Sequence, residues 1–169
     1  MRSVSDKIKT TNILFFGIGG QGVLSASEIC ALAALNDGYH VKKSEVKGMA
    51  QRGGSVESYV RFGACVLSPL PEQGKVDILV CLYESEYPRL ISELRKGGID
   101  LYSYLTKAHK VVGEQKIFLN AFMLGVVSSF LPIKEDSWLK AINDTFSRKQ
   151  DKNKEYFYQG RRQVVSKVI

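Results

Sequence analysis

Asn12-Ile13-Leu14-Phe15-Phe16-Gly17-Ile18-Gly19-Gly20-Gln21-Gly22 is the stretch from which the fold is read. Residues 12–16 form a short apolar run that breaks at Gly17, the pattern of a strand buried on both faces. Beyond the glycines, Val23 to Leu35 sets Leu24, Cys30, Leu32 and Leu35 among alanines. That predicts a helix stopped near Asp37-Gly38. Strand, glycine turn and helix in this order predict a Rossmann-like first turn in an α/β fold.

The rest of the chain continues the pattern. Tyr39 to Val46 reads as a second strand. Ser55 to Arg61 alternates Val56, Ser58 and Val60 with Glu57, Tyr59 and Arg61, a half-buried strand. Phe62-Gly63-Ala64 would turn it into Cys65-Val66-Leu67, a hairpin closed by Pro69 and Pro71. Val76 to Tyr83 is a second fully buried strand. Ser85 then reads as the N-cap of a helix to Lys96, ended by Gly97-Gly98 and followed by a strand from Ile99 to Tyr104. Phe118 to Phe130 and Glu135 to Ser147 read as helices, the second presenting Trp138, Leu139, Ile142 and Phe146 on one face. Residues 101–117 give no distinctive signal. The expected architecture is one domain over 1–169, a mostly parallel twisted sheet with helices on both faces.

Composition narrows the class. The 169 residues are 44% hydrophobic and 24% charged, a globular balance. No apolar run reaches the roughly 18 residues of a membrane helix, and the polar amino-terminal decapeptide has no signal-peptide core. Three scattered cysteines, Cys30, Cys65 and Cys81, suit neither a disulfide framework nor a zinc site. A cytoplasmic location is expected. The net charge of +7 is concentrated at 148–169, where Arg148, Lys149, Lys152, Lys154, Arg161, Arg162 and Lys167 face only Asp151 and Glu155. Such a basic segment is either a solvated end or a surface for an anionic partner. No motif points to nucleic acid.

Two segments carry candidate chemistry. Gly17-x-Gly19-x-x-Gly22, with Gly20 and Gln21 inside it, has dinucleotide-binding spacing and context. Its backbone amides at a helix amino end can meet an anion. The same glycines equally serve tight helix packing or a partner contact. The acidic residue that would bind a ribose is represented only by Glu45, behind Lys42 and Lys43. The second segment, Gln51-Arg52-Gly53-Gly54, places a guanidinium beside two unrestricted residues, suited to a carboxylate or phosphate. His40 and His109 are isolated, and no residue has the setting of an acid–base catalyst.

Several stretches together carry a resemblance: GIGGQGV at 17–23, KGMAQRGGSVESYVRFG at 47–63, SPL at 68–70 and VDILVCLYESEYPR at 76–89. Asn120 with Gly125, and Asn153 with Phe157 and Gly160, extend it. The chain resembles the gamma-type subunit of the 2-oxoacid:ferredoxin oxidoreductases, in the pyruvate/ketoisovalerate oxidoreductase superfamily. Within that family it is most similar to the indolepyruvate oxidoreductase beta subunit. The resemblance implies the small subunit of a complex that oxidatively decarboxylates a 2-oxoacid to an acyl-coenzyme A and passes electrons to ferredoxin. The alternatives are a subunit for pyruvate, 2-oxoglutarate or ketoisovalerate, or a free nucleotide-binding regulatory module. It also implies a larger alpha subunit carrying thiamine diphosphate, Mg and 4Fe-4S clusters. This chain has no Gly-Asp-Gly for the thiamine site and no C-x-x-C for a cluster. It is therefore expected to hold no cofactor and to be inactive alone. Gly17, Gly19, Gly20, Gln21, Gly22, Gln51, Arg52, Gly53 and Gly54 are expected to face the partner or the anionic part of coenzyme A.

Overall fold

The apolar run at the start of the chain becomes β1 (Thr11–Ile18), the centre of a five-stranded sheet in the order β2-β3-β1-β4-β5. The computed structural model describes residues 9–48 and 53–165. The other strands are β2 (His40–Lys47), β3 (Ser55–Gly63), β4 (Val76–Cys81) and β5 (Leu94–Asp100). β4 pairs parallel with both β1 and β5, whereas β3 runs antiparallel to β1 and to β2. Four strands thus share one direction and β3 opposes them.

Residues opposite one another across a ladder share a face, so the pairing sorts the core. Ile13, Phe15, Val60, Ile78 and Val80 face one side. Leu14, Phe16, Tyr59, Leu79 and Cys81 face the other. All are buried, and each large side chain contributes roughly 1.5–3 kcal/mol by leaving water. β3 is therefore not half-buried as its alternation predicts: Glu57 and Tyr59 are buried too, because the second face is also covered.

The first face carries α1 (Val23–Asn36), which packs on β3, β2 and β1. Beside it lie α3 (Tyr102–Val112) and α4 (Leu119–Ser128), the latter buried at every residue. α5 (Glu135–Thr145) packs on α1, and α6 (Gln150–Val165) lies along α4. The second face has a thinner cover, the stretch around α2 (Tyr87–Leu90), whose Arg89 reaches Glu57.

Three sequence expectations are corrected. Cys65-Val66-Leu67 is not a strand. It is a loop fixed by Arg61, which donates to the Ser68 and Leu70 carbonyls at 2.7 and 2.9 Å, while the Val66 amide donates to His40 at 2.8 Å. The helix expected from Ser85 to Lys96 is only α2 between two 3₁₀ turns. It stops because β5 starts early at Leu94, opposite Val76, and Arg95–Gly98 bulge out against Asp77 before Ile99 meets Ile78. Residues 101–104 are not a strand continuing from Ile99; Tyr102 begins α3. The basic segment folds in part: α6 buries Asn153, Tyr156 and Phe157 against its neighbours, while Arg148, Lys149, Lys152 and Arg162 stay exposed. No helix among the described residues is long and apolar enough to cross a membrane.

Candidate functional site

β1 and β4 are parallel neighbours whose chains depart in opposite directions, β1 through α1 to β2 and β4 through α2 to β5. Such a switch point opens a crevice at the carboxyl ends of the strands, where open α/β sheets bind ligands. The glycine turn sits at that end. Gly22 is the N-cap of α1, with φ 77° and no side-chain cap, so the first amides of α1 are left for an external acceptor. Its carbonyl accepts the Ala26 amide at 2.9 Å and lies 3.5 Å from Asn120 Nδ2. A Cβ added at Gly22 would stand 2.5 Å from that nitrogen, so the position tolerates no side chain unless Asn120 moves.

Gln21 folds back over β1. Its Oε1 is buried without a donor and lies 3.2 Å from where a Cβ on Gly17 would stand. A buried acceptor left open is costly and invites a donor. A cavity of about 430 Å³ opens beside it, lined by Gly20, Gln21, Gly22, His109, Lys116 and Asn120 among others. A smaller groove of about 210 Å³ runs past Ile18, Gly19 and Val56.

Gly53 and Gly54 are carried to the same place. Gly48 donates to the Ser55 carbonyl at 2.7 Å, extending the β2–β3 hairpin, and the Gly19 amide donates to the Gly54 carbonyl at 3.0 Å. Gly53 is left-handed (φ 66°) and faces open space. Gly17, Gly19, Gly20, Gln21, Gly22, Gly53 and Gly54 therefore lie together, while Gln51 and Arg52 fall outside the described residues.

On the other side of the switch point, Arg89 pairs with Glu57 at 2.6 Å and with Glu86 at 2.7 Å. The hydrogen bond to Glu86, then that to Glu57, raises the Arg89 guanidinium further above its ordinary value. Burial, reinforced by Glu57, raises the Tyr59 phenol. Burial pushes the Cys81 thiol up to about 12, the opposite of the shift that activates a nucleophilic cysteine. Glu45 is engaged by Lys43 at 2.6 Å, whose hydrogen bond holds its carboxyl below the usual range. β2 is also separated from β1 by β3, so this acid does not take the ribose-binding position of a dinucleotide fold. Among the described residues no group of three or more His, Cys, Asp or Glu could hold a metal ion.

Sequence reading missed His109 and Lys116 as cavity walls, because each sits alone in an undistinguished segment. Asn120 left a usable signal, a single amide inside the apolar run of α4.

Comparison with known proteins follows this geometry. The family model for pyruvate ferredoxin/flavodoxin oxidoreductase matches residues 12–163. The chain is 45% identical over 92 residues to indolepyruvate oxidoreductase subunit IorB of Thermococcus kodakarensis, covering 54% of this chain and 46% of the relative. It thus spans about half the length of the curated relatives it matches first, 46% of the IorB chains of Thermococcus kodakarensis and Pyrococcus horikoshii. The gamma subunit of a keto/oxoacid ferredoxin oxidoreductase from Geobacter sulfurreducens shares the fold, with TM-score 0.75, 23% identity and coverage of 92% and 99% of the two chains. So does a 2-oxoglutarate:ferredoxin oxidoreductase from Magnetococcus marinus with 2-oxoglutarate, coenzyme A and succinyl-CoA bound, with TM-score 0.80, 19% identity and coverage of 95% and 32%. The chain belongs to the pyruvate ferredoxin/flavodoxin oxidoreductase family.

Proposed function

We propose that this chain is the small subunit of an arylpyruvate-type 2-oxoacid:ferredoxin oxidoreductase and that its glycine-turn crevice receives coenzyme A. The observation that carries the reading is the meeting of the glycine turn with Gly53-Gly54 at the sheet's switch point, fastened by the Gly19–Gly54 hydrogen bond. The uncapped amino end of α1, Lys116 and His109 border the cavity there. This combination suits a diphosphate held by main-chain amides and a nearby ammonium. Similarity to IorB supports the aryl substrate class, and the coenzyme A-bound relative supports the ligand.

The residues of this chain do not fit thiamine diphosphate or an iron–sulfur cluster. Cys30 and Cys81 are buried singly and Cys65 is exposed on a distant loop. In this reading a larger partner supplies those groups, and the present chain presents the acyl acceptor to them. Arg52 is the cation that the sequence places between β2 and β3.

Co-expression with the larger subunit tests the assignment. The assembled complex should reduce ferredoxin with an arylpyruvate and coenzyme A, and either chain alone should not. Lys116→Gln should raise the Kd for coenzyme A roughly fivefold, the loss of one charged contact of about 1 kcal/mol. Arg52→Ala should lower turnover with an unchanged melting temperature. Turnover by the lone chain, or coenzyme A binding indifferent to both substitutions, would refute the reading.

A further inference from the structure

The loop after β3, at the end of the sheet away from the crevice, exposes two large apolar side chains. Leu67 is 86% exposed and Leu70 45%. A leucine in water is ordinary, but a loop fixed to hold one there is not. Lys42 donates to the Leu67 carbonyl at 3.2 Å, beside the Arg61 bonds to Ser68 and Leu70. The Ser68 hydroxyl donates to the Leu70 carbonyl at 3.1 Å, and Val66 is buried with its amide held by His40. Pro69 and Pro71 flank Leu70 and fix two more backbone angles. Such a loop has little freedom left to lose when a partner covers it.

Charge around the loop narrows the choice of partner. Lys42 and Arg61 stand opposite each other on the β2–β3 ladder. Asn12 accepts from Arg61 and donates to the Lys75 carbonyl, which sets Lys75 beside them. Among the described residues none of these three cations pairs with a carboxylate. Asp77, which accepts the Asn12 amide, is taken by Arg95, and Glu72 is the one acid of the segment 64–75. An apolar projection with an uncompensated cationic rim fits an apolar hollow edged by carboxylates. A second copy of this chain does not fit. A two-fold contact would set the same three cations against themselves, on a chain of net charge +7.

We propose that the loop 64–71 is the knob by which this chain docks on the larger subunit. Leu67 and Leu70 enter an apolar hollow there, and Lys42, Arg61 and Lys75 meet acidic residues around it. This rests on the small-subunit reading given above. Docking at this end leaves the crevice, at the other end of the sheet, open to its ligand.

The test is dissociation of the co-expressed complex on dilution, followed by analytical ultracentrifugation. Leu67→Ser with Leu70→Ser should raise the Kd between the subunits at least about tenfold. The melting temperature of the isolated chain should stay that of the parent, because both side chains already meet water. Lys75→Glu should raise the Kd roughly fivefold and flatten its dependence on salt. Cys65, exposed in the free chain, should resist alkylation in the complex, read from the mass of its peptide. An unchanged Kd in the double leucine variant, or Cys65 alkylated equally fast free and assembled, overturns the docking assignment and leaves the small-subunit reading standing. Self-association of the chain that the double variant abolishes also overturns it, by making a second copy the occupant. No complex between the parent and the larger subunit overturns both readings.

Discussion

Cysteine reactivity follows from where each thiol sits. Cys30 is enclosed in α1, and burial alone raises its thiol far above the ordinary range. Cys81 is buried in β4 with its thiol donating to the Tyr83 carbonyl at 3.3 Å. Cys65 lies exposed on the loop after β3. Since the thiolate is the reactive species, Ellman's reagent at pH 8 should titrate one thiol rapidly in the native chain and three in denaturant. Rapid native labelling of two or more would contradict the burial of Cys30 or Cys81. At this scale the sequence was partly informative: Cys30 and Cys81 fall in apolar runs and are buried, whereas Cys65 sits in the apolar stretch Ala64–Leu67 yet is exposed on a loop. Gln21 was legible as a member of the glycine turn, but its inward turn over Gly17 required three dimensions, because it depends on the missing side chain of another residue. His109 and Lys116 are ordinary surface types in sequence and gain meaning only from α3 and the following turn meeting α1.

At the scale of elements, α4 and α6 show what sequence alone could not weigh. Gly125 and Gly160 face each other's helices so closely that a Cβ on Gly125 would collide with the Phe157 carbonyl, and one on Gly160 with the Phe122 carbonyl. Arg161 adds a hydrogen bond to Ser128 at 3.1 Å. Gly125→Ala or Gly160→Ala should each destabilise the chain by about 3 kcal/mol or more, measured by urea unfolding, because the helices must separate to admit one methyl group. A loss below about 1 kcal/mol would mean the crossing is looser than described. α6 is polar enough that periodicity hides it. Yet Asn153, Tyr156, Phe157 and Gly160 recur at helical spacing, and these are the residues buried against neighbours. β1, α1 and β4 were legible because each is short, strongly apolar and bounded by glycine or a turn. α2 was overestimated because tertiary pairing of Leu94 overrides local helix preference.

Across the whole molecule the sheet separates two kinds of work. The carboxyl ends of its parallel strands hold the crevice, while the opposite end is braced by Arg61, which also donates to Asn12 at 2.8 Å. Arg61→Ala should cost about 2 kcal/mol of stability by removing charged hydrogen bonds, yet leave the Kd for coenzyme A in the assembled complex within twofold of the parent. A large change in that Kd would show that the two ends are coupled. Strand order was the least readable property at this scale. The sequence predicts alternation of strands and helices, but nothing local announces that β3 inserts antiparallel between β1 and β2. That insertion is what brings the second glycine loop to the first.

The bond between Gly19 and Gly54 joins main chain to main chain. Because neither partner is a side chain, substitutions at residues 49–52 leave both bonded atoms in place. Replacing residues 49–52 with those of a relative should therefore preserve the anchor between the two glycine segments, seen as an unchanged melting temperature, a tolerance that leaves the intervening sequence open to redesign.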